Sequence, residues 1–448
     1  MASSGPLIVS VSGLRGIVGD SLTPAVALAY GSAFAAHLGG GTVVLSRDGR
    51  PSGTLLRYAL NAALLAGGCD VLDLGVVATP TVGLAVRTLQ AAGGIQITAS
   101  HNPAPYNGIK LFGADGRVLQ ANVGAEVKRL FEAGSARQAA WNELGTMRHH
   151  RQAEETHGDR VLQLIDGARI RGMRFKVLLD ANGGAGGPLG QRLVQSLAVE
   201  TVPLNCEPDG LFRHEPEPTA ENLAEVAPLV KKHGAHLGFA LDPDSDRLAL
   251  IDENGRYIGE ELTLALATLA RLRRERGPVV INLSTSRIVQ DIAARFDCPC
   301  YRAPVGEAHV ADRMIQVGAI FGGEGNGGVI DPRVGYVRDP FIAMGLILGL
   351  MAETGRKLSE LVNELPHYEI VKEKYTITPE RLPALFEALI ARWPEAQVNR
   401  EDGLRLDWKD RWLQVRASNT EPIVRVIAEA PTADLARRLC AEVGKLLA

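Results

Sequence analysis

The 448-residue chain is poor in cysteine (five), poor in aromatics (5%), and nearly free of charge imbalance, with 48 basic residues against 51 acidic ones. Each shortage excludes something. Cys69, Cys206, Cys298, Cys300 and Cys440 are odd in number, and the close pair Cys298/Cys300 flanks a proline without a nearby histidine or further cysteine. That is neither a disulfide framework nor a zinc site, and it suits buried thiols in a reducing cytoplasm. A net charge of −3 without a Lys/Arg-rich stripe gives no footprint for nucleic acid. Any anionic ligand must then be held by a local site. The most apolar stretch, 341–351, contains two glycines and is far shorter than the roughly 18 residues of a membrane span. Residues 1–6 (Met-Ala-Ser-Ser-Gly-Pro) have neither a basic start nor a long apolar segment, so no secretion signal is expected there.

What is present is a globular composition, 46% hydrophobic and 22% charged, which can fill several cores and excludes disorder as the main state. At roughly 150 residues per domain the length suggests about three domains. Glycine is abundant, 49 residues, and many glycines end apolar runs, as tight strand-to-helix turns require. One pattern occurs three times. An apolar run at 43–45, 176–179 or 279–283 leads into a Gly- or Ser-bearing turn, a helical stretch, and a second run at 71–74, 201–204 or 300–301. Each copy reads as a βαβ unit, and their wide separation suggests three related domains. The C-terminal stretch differs. Alternation at 367–377, 405–415 and 423–428, with amphipathic helices expected at 382–393 and 433–447, reads as an antiparallel α+β module. The expected division is 1–152, 153–255, 256–365 and 366–448: a polar run, the Glu253-Asn254-Gly255 turn and Leu365-Pro366 mark the joins.

Four segments carry chemistry. Thr98-Ala99-Ser100-His101-Asn102-Pro103 follows the strand 95–97 and exposes a serine at its end, with a turn and then the cation Lys110 downstream. A nucleophilic serine needs a base or an electrophilic partner, and neither His101 nor Lys110 alone establishes one. Asp242-Pro243-Asp244-Ser245-Asp246-Arg247 sets three carboxylates at i, i+2 and i+4 between apolar runs. Hard oxygen ligands at that density suit Mg²⁺. An EF-hand frame places Glu253 at position 12 but Arg247 where that loop needs glycine, so it fails. Gly322-Gly323-Glu324-Gly325-Asn326-Gly327-Gly328 runs into Val329-Ile330-Asp331-Pro332, which cannot open a helix, so the pattern argues against a dinucleotide site. Glu324 and Asn326 among glycines can instead grip hydroxyls. Arg416-Ala417-Ser418-Asn419-Thr420-Glu421-Pro422, with Arg425 beyond, offers backbone N–H groups, side-chain donors and two guanidinia, as phosphate recognition requires. Arg15, between Gly13 and Gly16, and the polar segment 46–52 are weaker signals. Taken singly, each segment also reads as a plain solvated turn.

Together, in this order, the four segments resemble the signature loops of the α-D-phosphohexomutase family over essentially the whole chain. The resemblance implies three α/β domains with mixed sheets plus a smaller C-terminal α+β domain around a central cleft. It implies a cytoplasmic enzyme, monomer or homodimer, that interconverts hexose 6-phosphate and hexose 1-phosphate. Ser100 would carry a phosphoryl group, with one Mg²⁺ held against it by Asp242, Asp244 and Asp246. A hexose 1,6-bisphosphate would be the intermediate and activator. Arg15, His101 and Lys110 would handle protons and phosphoryl charge. Arg247, Glu324 and Asn326 would meet the sugar, and Arg416, Ser418, Asn419, Thr420 and Arg425 the non-reacting phosphate. Glucosamine phosphate is the expected substrate, with glucose and mannose phosphates as alternatives. A metal-dependent phosphosugar phosphatase or a non-catalytic phosphosugar binder are readings of a different class. The chain departs from the family pattern in three places: Asn326 and Gly328 stand where serine and histidine are usual, and Pro243 stands where glycine is usual.

Overall fold

A computed structural model describes residues 5–417 and 423–447. Its strands fall into four sheets in chain order. The first contains β1 (Ile8–Ser10), β2 (Gly13–Ile17), β3 (Gly41–Arg47), β4 (Cys69–Val76), β5 (Gly93–Ile97), β6 (Tyr106–Gly113) and β7 (Met147–His149). The second contains β8 (Lys176–Asp180), β9 (Glu200–Leu204), β10 (Leu237–Leu241) and β11 (Leu248–Asp252). The third contains β12 (Val279–Asn282), β13 (Cys300–Ala303), β14 (Phe321–Glu324) and β15 (Gly328–Ile330).

These three sheets share one motif. In each, a central strand pairs in parallel with strands on both sides, and a fourth strand is added antiparallel: β4-β3-β5-β6, β9-β8-β10-β11 and β13-β12-β14-β15. The inner parallel strands β3, β5, β8, β10, β12 and β14 are buried along most of their length on both faces, so they read as continuous apolar runs and not as alternation. The fourth sheet is antiparallel throughout, in the order β16 (Glu369–Thr376), β20 (Ile423–Ala430), β19 (Trp412–Ala417), β18 (Leu404–Asp407) and β17 (Gln397–Asn399). Helices Leu382–Arg392 and Ala433–Leu447 complete that unit, the latter packing on β16 and β20. The expected architecture, three related α/β units with mixed sheets and a smaller α+β unit, is what the chain forms.

The apolar stretch at 341–351 lies in helix Pro340–Thr354, buried along nearly its whole length. Asp339 caps its start by accepting the Phe341 and Ile342 amides, Pro340 fits the first turn, and Gly355 closes it in the left-handed conformation. It packs against helices Glu260–Arg274 and Gly167–Gly172, so the second and third units share one hydrophobic core. The fourth unit keeps a core of its own, and the first unit has one of its own and a second that takes in Ala153 and Val337. Among the described residues no helix is long and apolar enough to cross a membrane.

Two local expectations change. Residues 106–110 are not a turn: all of β6 is strand, because it pairs with β5 on one side and β2 on the other. Arg15 likewise sits inside β2, opposite Gly108, and not in a turn.

Candidate active site

The repeated sheet motif places the chemistry. The Ser100 segment joins β5 to β6, the aspartate segment joins β10 to β11, and the glycine-rich segment joins β14 to β15. All three therefore occupy the same topological position, at the carboxyl end of a parallel strand where the direction reverses. That is the end at which open α/β sheets bind ligands.

Ser100 follows β5 directly and has φ = 51°, a left-handed conformation unusual for a residue other than glycine and common at functional turns. It is 5% exposed. Its amide donates to Thr98 Oγ1 (2.8 Å), and its Oγ lies 3.1 Å from His101 Nδ1 and 3.4 Å from Asp242 Oδ2. Beneath the loop, the buried guanidinium of Arg50 donates to the carbonyls of Ser100 (2.8 Å), Asn102 (2.6 Å), Pro103 (2.9 Å) and Tyr106 (2.9 Å). Asp48 in turn accepts from Arg50 Nε (3.1 Å) and from Thr98 Oγ1 (2.8 Å). The polar segment 46–52, a weak signal in the sequence, thus supplies the clamp of the serine loop. Arg15 reaches the same loop through Asn102 Oδ1, at 2.5 Å.

The three aspartates are fully buried, and oxygens from all three lie within 4.8 Å of one another. Asp242 Oδ1 accepts the amides of Asp246 and Arg247, both at 3.1 Å. Asp244 Oδ2 accepts from Thr79 Oγ1 (2.7 Å) and Lys110 Nζ (3.3 Å). Asp246 Oδ2 accepts from Lys110 Nζ (3.0 Å) and Arg338 Nη2 (2.5 Å). Burial, together with Asp246 and Asp244, pushes the Asp242 carboxyl well above its usual range. Burial acts the same way on Asp246, but Arg338, Lys110 and Arg247 outweigh it and hold that carboxyl low. Lys110 is raised because Asp246 and Asp244 outweigh its own burial. Buried Oδ1 atoms of Asp244 and Asp246 have no hydrogen-bond partner. Unpaired carboxylate oxygens in a low-dielectric site are costly, and a hard cation would satisfy them. The donor set fits Mg²⁺. His101 is driven down to about 3, first by burial and then by Arg247 and Arg15, so it is neutral near pH 7.

In the third loop, Glu324 is 2% exposed. Its Oε1 accepts from Asn282 Nδ2 (2.8 Å) and the Gly306 amide (2.9 Å), and its Oε2 from Arg338 Nη1 (2.9 Å). Asn326 Oδ1 accepts the Gly328 amide within the loop (3.2 Å), and the Leu248 amide donates to the Gly327 carbonyl (3.2 Å), joining this loop to the aspartate unit. Arg247 Nη1 lies 3.8 Å from Glu217 Oε1.

The fourth segment lies on a separate sheet. Ser418, Asn419 and Thr420 fall outside the described residues. Arg416 on β19 pairs in register with Arg425 on β20, and Arg425 pairs with Lys374 on β16. Three cations in one row across neighbouring strands repel each other unless an anion lies over them. Lys374 is absent from the motif reading, because its only sequence signal is alternation within β16. Arg416 also approaches Asp402 (3.3 Å). Among the described residues no hydrogen bond joins Arg416 or Arg425 to the Ser100 and aspartate cluster.

Family models for phosphoglucomutase/phosphomannomutase match the chain in four consecutive pieces: α/β/α domain I at 7–138, domain II at 155–255, domain III at 259–368 and the C-terminal domain at 370–446. The chain belongs to this family. It is a phosphohexomutase, an isomerase of carbohydrate metabolism. A probable phosphoglucosamine mutase of Methanopyrus kandleri is 36% identical over 96% of this chain and 95% of its own length. A phosphoglucomutase/phosphomannomutase of Thermococcus kodakarensis is 37% identical over 95% of each chain. Among solved structures, a phosphoglucomutase/phosphomannomutase family protein of Burkholderia thailandensis superposes with a TM-score of 0.86 at 27% identity, covering 98% of this chain and 96% of that one.

Proposed function

We propose that this phosphohexomutase interconverts glucosamine 6-phosphate and glucosamine 1-phosphate through a phosphorylated Ser100. The observation that supports this most is the junction of three topologically equivalent loops, with Ser100 Oγ 3.4 Å from Asp242 Oδ2. In the proposed cycle the phosphorus–Oγ bond of phosphoserine breaks as a bond forms to the free hydroxyl of the bound hexose phosphate. The hydroxyl proton passes to a nearby base. The resulting 1,6-bisphosphate turns over, and its other phosphate returns to Ser100 Oγ, leaving the isomer. His101 Nδ1, 3.1 Å from Ser100 Oγ, is placed to take or return the proton once the negative charge of phosphoserine beside it raises its basicity. Lys110 and Arg15 oppose the charge that builds on the transferring group. Asp242, Asp244 and Asp246 would hold Mg²⁺, which when bound neutralises phosphoserine charge and polarises the phosphoryl group. Glu324, Asn326 and Arg247 would meet the sugar. Arg416, Arg425 and the Ser418–Thr420 backbone would grip the other phosphate in both orientations, with Lys374 completing the cationic row. Glucosamine is preferred because several relatives, at 33–36% identity, are named probable phosphoglucosamine mutases. The name of the Thermococcus kodakarensis relative favours glucose and mannose phosphates as the second reading.

The test is ³¹P NMR of the purified protein with Mg²⁺ and a trace of hexose 1,6-bisphosphate, in separate tubes of glucosamine, glucose and mannose 6-phosphates. Signal should move from the 6- to the 1-phosphate fastest with glucosamine and not at all with Ser100→Ala. Transfer that survives in Ser100→Ala would overturn the phosphoserine route, and faster turnover of another sugar would reassign the substrate.

A further inference from the structure

Arg338 belongs to none of the four motifs. It lies two residues before helix Pro340–Thr354, is 8% exposed, and meets acidic groups from three segments. One arm of its fork, Nη2, donates to Asp246 Oδ2 at 2.5 Å, and the other, Nη1, to Glu324 Oε2 at 2.9 Å. Its Nε lies 3.6 Å from Glu307 Oε2, and its own amide donates to Glu307 Oε1 at 2.7 Å. One rigid guanidinium therefore connects the aspartate loop of the second unit with the glycine-rich loop of the third. A Cβ at position 328 would collide with the Arg338 side chain at Cδ. Gly328 is not among the positive-φ glycines, so glycine is required there for space and not for conformation.

We infer that Arg338 is a positioning residue that fixes the metal-ligand loop and the sugar loop to each other, and that Gly328 exists to admit it. Arg338 and Lys110 both engage Oδ2 of Asp246, leaving Oδ1 of that carboxylate without a hydrogen bond, with only Arg247 Nε near it at 3.9 Å. The guanidinium thereby selects which oxygen is open to a cation. At the same time it orients Glu324, whose other oxygen is already held by Asn282 and Gly306. A lysine offers a point charge on a flexible stem and cannot make both bonds at once. The inference rests on the proposed metal and sugar roles of these loops, but its first readout does not need catalysis.

The experiment measures Mn²⁺ binding to the full chain by electron paramagnetic resonance, without substrate, and then KM and kcat for the hexose phosphate. Arg338→Lys keeps the buried charge, so it should fold, yet Mn²⁺ should bind about 10-fold more weakly, as is typical when a group supporting a metal ligand is lost. KM should rise as well. Gly328→Ala should weaken Mn²⁺ by a similar factor in the wild-type background and by nothing further beside Arg338→Ala, since the steric conflict is then gone. Unchanged Mn²⁺ affinity and KM in Arg338→Lys would reduce Arg338 to a structural ion pair and overturn the inference. Additive losses in the double variant would overturn its link to Gly328. If Arg338→Ala does not fold, the two conservative variants still decide the matter. Absence of mutase activity in the wild type would defeat the proposed function while leaving the Mn²⁺ result to stand or fall separately.

Discussion

Thr79 and Asp244 are joined twice: the Thr79 hydroxyl donates to Asp244 Oδ2 at 2.7 Å, and the Thr79 amide donates to the Asp244 carbonyl at 2.9 Å. The first residue of helix Thr79–Thr88 in one unit thus holds the middle aspartate of the next. Thr79→Val keeps the shape and the backbone bond but removes the hydroxyl donor. Leaving a buried carboxylate oxygen short of a donor costs about 1–3 kcal/mol. A drop in thermal midpoint of about one to three degrees is expected in chelator, measured by calorimetry, with Thr79→Ser close to wild type. Equal stability of the valine and serine variants would mean the hydroxyl bond contributes nothing.

The carboxylate cluster predicts a metal-dependent stability. A ligand that binds the folded chain alone stabilises it by about 2.7 kcal/mol at 100 times its dissociation constant. Added Mg²⁺ should raise the thermal midpoint, and chelator should reverse the shift. Asp244→Asn together with Asp246→Asn should abolish the response, and should also lower the midpoint in chelator, because the buried Lys110 and Arg338 lose carboxylate partners. A full Mg²⁺ shift in that double variant would place the metal elsewhere.

Arg50 satisfies four carbonyls of the serine loop and pairs with the buried Asp48. Arg50→Met preserves most of the volume but leaves Asp48 uncompensated, and breaking a buried pair in this way costs about 3–5 kcal/mol. Chemical denaturation should show that loss. Cleavage by protease within 98–106 should also accelerate, since the loop loses its clamp. Unchanged protection would show that the loop holds its shape through Thr98 alone.

Glu261 gives the pH dependence. Its Oε2 accepts the Ser286 amide at 2.9 Å beneath Gly325, and burial pushes its carboxyl up to about 8, against the lowering influence of Lys372 and that amide. A folded value above the unfolded one of 4.5 means folding favours the protonated form. The stabilisation is complete below about pH 4.5 and is lost as pH rises through about 8, at about 1.4 kcal/mol per pH unit in the window. Glu260, raised to about 7 mainly by burial, adds to the same decline. Glu261→Gln keeps the acceptor for Ser286 and should flatten the fall in stability between pH 5 and pH 9 in urea titrations. An equally steep fall would assign the titration to other groups.

Much of this protein is set locally. Mostly apolar runs of three to five residues, each followed by a glycine or serine turn and a helical stretch, specify the three βαβ units wherever they sit in the chain. The alternation near the C-terminus specifies the antiparallel unit for the same reason. Ser100 and the aspartate triplet stand out because polar residues crowded directly after a buried strand have few structural uses. What a linear sequence does not carry is distance between residues far apart along it. Lys110 meets Asp244 and Asp246, 134 and 136 residues away, only because a strand that reads as a turn pairs between β5 and β2 and faces the next unit. Thr79 and Arg338 belong to no motif and Arg50 only to the weak 46–52 segment, and all three acquire their partners by packing. Lys374 joins Arg425 and Arg416 through strand register, which depends on pairing across the sheet. The sequence by itself determined most of the elements and the kinds of side chain at the loops, since both follow from periodicity and local chemistry, whereas β6 is a strand through its pairing with β2 and β5. The tertiary structure alone decided which of those side chains share a charge, because burial and long-range pairing set both the distances and the dielectric between them.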